Sequence, residues 1–540
     1  MNLSSILIGA LLLVNPLATL AAEPGIAVGH PVVIAKCGPC HARDEQGQME
    51  RISWLRATPE GWQNVLRRMI AEHGVTVNPA EARAIVTALS NTHGLAPDEA
   101  AAVRFIPERR FQPKGETLAE LSCTKCHGVA FALTWRRSES EWKQFVAFHA
   151  ARKKFTAADA DVVTMANAAP LWTPEWQAWA KHPPVDVAGR WLVTAALPGR
   201  GKYWGELDVE RNPAGDFVTR ATLTSLADGT VMTRTGRGVI YSGSAWRGRS
   251  ADGGLPEARE VMTLSATGAT AEGRWFWGQY QEFGFDVHLR RMAPGPALLA
   301  LDRVSLKLGT RGNRVKFVGM GFPAQGGPEA LNLGLGIAIR KIISRTPREI
   351  VAEADVASDA LLGWRTATVH GSALPDVLAI YDRVDYVKVT PGSAVASYSD
   401  EAHPKGYMQF EAVGYQRGPD GKLHTEDDLE LGPLAVTWSL EVFHAPTGGS
   451  GAERAGAITD EGLFTPASVN PNANFDVWIS ATAKHEKDEK NAGSGKPLVG
   501  KAYLVVTPPT YVINGRRYVR DLDRWIDEGP AVPAGKEDRQ

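Results

Sequence analysis

Cys37-Gly38-Pro39-Cys40-His41 and Cys123-Thr124-Lys125-Cys126-His127 use all four cysteines of the 540-residue chain. Each C-x-x-C-H has the spacing of covalent c-type haem attachment. Two thiols one helical turn apart each add to a vinyl group, and the adjacent His41 or His127 swings under the iron as proximal ligand. Zinc and redox dithiols share the C-x-x-C spacing. Zinc, however, needs pooled ligands, and these two pairs sit in separate segments. No cysteine is left over for a structural disulfide.

Outward from the motifs the sequence repeats at an offset of 80 residues. Trp62-Gln63-Asn64-Val65-Leu66-Arg67-Arg68-Met69 aligns with Trp142-Lys143-Gln144-Phe145-Val146-Ala147-Phe148-His149. After a three-residue gap, Ile85-Val86-Thr87-Ala88 aligns with Val162-Val163-Thr164-Met165. Trp62, Val65, Leu66, Met69 and Ile70 recur at helical spacing and predict one apolar helix face. Equivalent positions thus hold Met69 and His149, the two side chains most used as distal haem ligands. The expected axial pairs are His41/Met69 and His127/His149. His73 and Met49 are the alternatives for the first haem and Met165 for the second. Met/His ligation raises a haem's potential relative to a bis-His site, so the Met69 haem is expected to be the more oxidising. With both axial positions filled, neither iron is open to oxygen or peroxide.

The pattern changes near Pro183-Pro184. Short alternating runs separated by turn residues follow, among them 190–195 (RWLVTA), 205–210, 217–223, 258–266, 273–279 and 286–291. They predict antiparallel barrels or sandwiches. The expected fold is multidomain: an N-terminal all-α tandem di-haem cytochrome c module followed by three all-β domains, one barrel-like and two immunoglobulin-like sandwiches. The expected divisions are a signal peptide over 1–22, a haem domain over 23–184 in two modules (about 23–105 and 106–184), a barrel-like domain over 185–293, and sandwiches over 294–385 and 386–540, the last with a polar tail. At roughly 150 residues per domain the length agrees with several domains.

Lys plus Arg (59) against Asp plus Glu (60) leaves a net charge of −1, which gives no whole-chain footprint for nucleic acid or an anionic membrane. Residues 1–22 have the shape of an export signal, with an apolar core far short of the ~20 residues that span a bilayer. The expectation is a soluble periplasmic chain without a membrane anchor. Gly334-Leu335-Gly336 lacks the rest of a dinucleotide fingerprint, and His424-Thr425-Glu426-Asp427-Asp428 lacks the alternation of a calcium loop and reads as a hairpin turn. Arg136-Arg137 and Arg152-Lys153-Lys154 read as solvated faces, with a docking rim for an acidic redox partner as the functional option.

Taken together, the two haem motifs, the Trp-x6-Met and Trp-x6-His repeat, the barrel-like start at Gly189-Arg190-Trp191 and the strand Val315-Lys316-Phe317-Val318-Gly319-Met320-Gly321-Phe322 resemble the alpha subunit of quinohemoprotein amine dehydrogenase. The resemblance spans essentially the whole mature chain. It implies a periplasmic heterotrimer that oxidatively deaminates primary amines. In that family the cofactor cysteine tryptophylquinone is built on the small γ subunit, beside a β-propeller β subunit. The resemblance gives this chain the transfer of electrons from that quinone through two c-type haems to a soluble acceptor such as a blue copper protein or cytochrome c. Cys37, Cys40 and His41, and Cys123, Cys126 and His127, match the family motif, as do Met69 and His149; no catalytic residue is expected on this chain. The competing reading is a free-standing multidomain di-haem electron carrier, which would purify alone, without a quinone-bearing small chain.

Overall fold

A computed structural model describes residues 23–509 apart from 102, 104–128, 154–155, 157, 214, 279, 444–450, 470 and 488–495. Cys123, Cys126, His127, the signal segment and the polar tail lie outside the described residues. Among the described residues strand accounts for 44% and helix for 19%.

The N-terminal unit contains helices α1 (Pro31–Cys37), α2 (Pro59–His73), α3 (Pro79–Thr92), α4 (Pro97–Ala101), α5 (Glu139–Lys153), α6 (Asp159–Ala168) and α7 (Pro174–Trp179). The expectation of an all-α di-haem cytochrome module does not hold. Strands β1 (Leu55–Ala57) and β2 (Trp135–Arg137) pair antiparallel across its two halves, in the register Leu55↔Arg137, Arg56↔Arg136, Ala57↔Trp135. The reason is backbone satisfaction: these segments run into helices yet are themselves largely buried, so their amide groups must find partners inside the protein. A helical apolar stripe carries no trace of three residues placed before it.

The 80-residue repeat is a repeat of hydrogen bonds. Thr58 N–H donates to the Thr134 carbonyl and Ser138 N–H to the Trp54 carbonyl. Thr58 and Ser138 then cap α2 and α5, accepting from Gly61 N–H and Glu141 N–H at 3.2 Å each. Trp62 Nε1–H donates to the His93 carbonyl, which Ala57 N–H also reaches; Trp142 Nε1–H donates to the Ala169 carbonyl, which Arg137 N–H also reaches. His93 and Ala169 are the C-caps of α3 and α6, so the offset there is 76. The gap is therefore four residues, one more than the sequence alignment placed, and Leu89 rather than Ala88 is the counterpart of Met165. Four residues are about one helical turn, so α6 is shortened without rotating its buried face.

Beyond residue 185 the chain is built of strands. β3 (Gly189–Leu197), β4 (Gly201–Arg211), β5 (Phe217–Ser225), β6 (Val231–Tyr241), β7 (Ala245–Ala251), β8 (Ala258–Leu264), β9 (Thr270–Trp277) and β10 (Phe283–Arg291) form a closed antiparallel barrel, sealed by β10 against β3. Alternate residues such as Trp191, Val193 and Ala195 point into a shared core with Trp246, Trp275 and Phe285, leaving an interior void of only about 20 Å3. The barrel is a packed support, not a ligand cup. It docks on the helical unit: Ser242 donates through its hydroxyl to the Ser90 carbonyl at 2.7 Å, and Arg247 pairs with Glu60 at 2.5 Å. Gly94 permits this approach, since a Cβ there would lie 2.1 Å from the Ser242 hydroxyl oxygen.

Next, a sheet of β11 (Ala297–Leu301), β13 (Asn313–Met320), β16 (Glu349–Val356) and β15 (Ile337–Arg345) shares one core with a sheet of β12 (Ser305–Lys307), β18 (Ser372–Tyr381), β17 (Gly363–Val369) and β14 (Leu331–Asn332). The last region sets β20 (Ser393–Ser397), β28 (Pro497–Thr507), β27 (Phe475–Lys487) and β24 (Val436–Val442) in one sheet, beside two smaller ones, all around a common core. The strands are not all antiparallel: β12 runs parallel to β18 and β20 parallel to β28. An early strand parallel to the last one makes the chain leave each unit at the end opposite its start, which suits units strung in series. Gly334-Leu335-Gly336 is a turn with positive φ at both glycines, and the acidic segment at His424 is the β22 (Glu411–Gln416) to β23 (Leu429–Pro433) hairpin connection.

Candidate haem site

Helix α1 opens with Pro31 at its first turn, which sacrifices no hydrogen bond, and ends at Cys37. The chain coils on, with Cys40 N–H and His41 N–H both donating to the Cys37 carbonyl at 3.1 and 2.9 Å. That turn puts Cys37, Cys40 and His41 on the wall of a cavity of about 420 Å3, within the roughly 300–1,000 Å3 usual for cofactor sites. Met69 and His73, both on α2, line the same cavity. Part of the apolar stripe of α2 thus faces the cavity: Trp62 and Leu66 are buried, while Val65 and Met69 stay half-buried. Met49 is fully buried in the hydrophobic core, which removes it as an alternative to Met69.

Three observations fit the cavity to a haem. His41 Nδ1 lies 3.0 Å from the Glu50 carbonyl oxygen. A carbonyl only accepts, so Nδ1 carries the proton and Nε2 keeps a lone pair for a metal. Burial, with Cys40 alongside, pushes the Cys37 thiol up to about 11. A thiol held neutral is the opposite of the low-pKa thiolate of a dithiol redox site. Finally, the otherwise apolar wall carries Lys36, Arg51, Arg68 and Arg137 against Glu72, a surplus of cations suited to haem's two propionates.

The second half contributes directly. Phe145 and Phe148 of α5 line this first cavity, and Phe145 stacks on His149 with ring centroids 5.6 Å apart. His149 is half-buried and occupies on α5 the position Met69 occupies on α2, at the offset of 80 shared by both helices. Its expected partners Cys123, Cys126 and His127 lie outside the described residues. Met165 is 3% exposed in the core beneath α6, in the place of Leu89, which marks it as a packing residue.

Arg136 and Arg137 are not a solvated face; both are buried. Arg56 and Arg136 face each other across the β1–β2 ribbon and share one carboxylate. Arg56 holds Glu99 with two bonds of 2.7 and 2.9 Å, and Arg136 Nε stands 3.5 Å from it. Burial raises the Glu99 carboxyl, but the Arg56 bonds and both charges outweigh it and hold it below the ordinary carboxylate range. Arg137 lies over the rings of Trp135, Trp142 and Phe145 at 4.9, 5.4 and 4.5 Å. Burial lowers it to about 10, with Glu141 opposing and Arg68 and Arg51 adding. A dipeptide of arginines reads as surface, and its only clue in the sequence was its place one step before the α5 cap. Arg152 does remain exposed, paired with Glu72 at 3.1 Å.

The fold and this site define a haem-binding protein with a train of β units attached. Family models for quinohemoprotein amine dehydrogenase match along the chain: alpha subunit haem binding at 27–167, domain II at 184–292, domain III at 295–382 and domain IV at 387–515. The chain belongs to the family of quinohemoprotein amine dehydrogenase alpha subunits, subunits of a multisubunit oxidoreductase. A comparison with curated proteins returned no match. Among solved structures, a redesigned β barrel aligns with 14% identity over 20% of this chain and 92% of its own (TM-score 0.18). Human protocadherin-24 EC1-2 aligns with 15% identity over 40% and 99% (TM-score 0.17). At these scores neither bears on the fold or the function.

Proposed function

We infer that this chain is the electron-transfer subunit of a periplasmic amine dehydrogenase. It takes electrons from a tryptophylquinone on a small partner subunit, held beside a β-propeller partner, after oxidative deamination of a primary amine. It passes them to a soluble acceptor such as a blue copper protein or cytochrome c. Two covalent c-type haems, on Cys37/Cys40 and Cys123/Cys126, supply one-electron chemistry when bound. His41 and Met69 would hold one iron, His127 and His149 the other. The observation that carries the reading is the cavity joining Cys37, Cys40, His41 and Met69, with His149 at the structurally equivalent helix position. Residues 1–22 supply export in this reading, and no helix among the described residues is long and apolar enough to cross a membrane.

Haem quantitation after denaturation, with a redox titration of the holoprotein, tests it. Two covalently retained haems and two resolved midpoints are expected, and Met69→His should lower the higher midpoint toward the other. One haem, or midpoints indifferent to Met69, would refute the ligand assignment. Purification of the native chain without a quinone-staining small subunit would refute the complex.

A further inference from the structure

Arg137 belongs to the second repeat but lines the cavity of the first. The ribbon register explains how: antiparallel pairing sets the last residue of β2 opposite Leu55, the first residue of β1, and both reach that cavity. The repeat counterpart of Arg137 is Ala57, so the matching register position of the first half carries a methyl group and no cation. Arg137 is 6% exposed, and among the described residues its Nε has no hydrogen-bond partner, although the Glu141 charge acts on it. Of the neighbouring cavity cations, Lys36 is engaged with Glu81 at 3.0 Å and Arg51 with Glu141 at 3.1 Å. A buried guanidinium with an orphaned N–H is costly. That cost is offset if an anion arrives with the ligand.

We propose that Arg137 is a positioning residue which reaches across the repeat boundary to hold a propionate of the first haem and raises that haem's reduction potential above that of its repeat partner. The inference rests on the haem reading above. Reduction adds one electron to the iron, and a fixed cation in a cavity of low dielectric favours the more negative state. The tandem repeat thereby gains a potential difference from an Arg/Ala exchange, independent of the Met69/His149 exchange.

The test is a spectroelectrochemical titration of holoprotein carrying Arg137→Gln, Arg137→Met or Arg137→Lys, with Met69→His marking which midpoint belongs to the first haem. In Gln and Met the first haem's reduction equilibrium should shift about tenfold toward the oxidised form, or about 59 mV for one electron. The second midpoint should stay in place, and Lys should restore most of the shift. The Met variant keeps the packing between the aromatic rings should Gln fail to fold. Midpoints unmoved in Gln or Met, or both haems moving together, overturn the proposal. So does loss of haem-loaded protein in all three variants, Lys included, because it assigns Arg137 to structure alone. A wild-type chain that retains no covalent haem overturns the haem reading instead, and is seen before any variant is made.

Discussion

The two halves of the N-terminal unit share a scaffold and differ in what they add to it. Both have a strand, a hydroxyl cap, a tryptophan four residues on, and a second helix whose C-cap carbonyl takes the indole N–H. Among the differences, several lie where chemistry would feel them: Met69 against His149, Ala57 against Arg137, His93 against Ala169, and a shorter α6. Duplication therefore preserved the hydrogen bonds that hold the ribbon and left the side chains around them to diverge.

The comparison breaks most visibly at the tryptophans. Trp62→Ala and Trp142→Ala each empty a site that is 1% exposed and remove one of the two bonds to a C-cap carbonyl. Each should cost about 3–5 kcal/mol, read as a lower urea midpoint of the helical dichroism. Near-equal losses are expected if the halves are structurally equivalent, and a loss confined to one would deny it.

Glu99 is the shared element and should couple them. Glu99→Gln leaves Arg56 and Arg136 buried without their carboxylate, at about 3–5 kcal/mol. Amide exchange should then accelerate in both α2 and α5, whereas acceleration in one alone would count against a shared keystone.

His93 separates the halves by pH. Burial lowers its pKa from 6.5 to about 4, so the unfolded chain binds the extra proton first. This contribution is whole above pH 6.5 and fades as pH falls toward 4, by about 3 kcal/mol. Urea midpoints at pH 7 and 4.5 should converge in His93→Gln relative to wild type. Ala169 offers the second half no such dependence. The smallest effects belong to the caps, where Thr58→Ala and Ser138→Ala should each cost about 1 kcal/mol by the same unfolding measurement.

Much of this unit was legible because its signals are local. C-x-x-C-H is a contiguous motif, and an 80-residue offset is visible wherever helices of equal length repeat. Strands β3, β4 and β5 were legible from alternation and from the turn at Asn212-Pro213. What stayed hidden depends on partners distant in sequence. Three residues become a strand only because another three, 80 positions away, lie against them. Arg136-Arg137 becomes interior only because Glu99, Trp142 and Phe145 close over it. The one-residue error in the repeat alignment has the same origin, since Val162-Val163 satisfies either register and only the C-cap bonds choose.

The sequence by itself determined the two C-x-x-C-H motifs that use every cysteine, the duplication, the equivalence of Met69 and His149, and the change from helix to strand near Pro183. Each is written in contiguous residues or in fixed spacing, and short-range physics suffices to read it. The tertiary structure alone decided that the two halves are joined by a β ribbon, that the first cavity borrows Arg137 and Phe145 from the second half, and that Met49 and Met165 are core. Burial is a property of what surrounds a side chain, and for these residues the surroundings come from segments far along the chain.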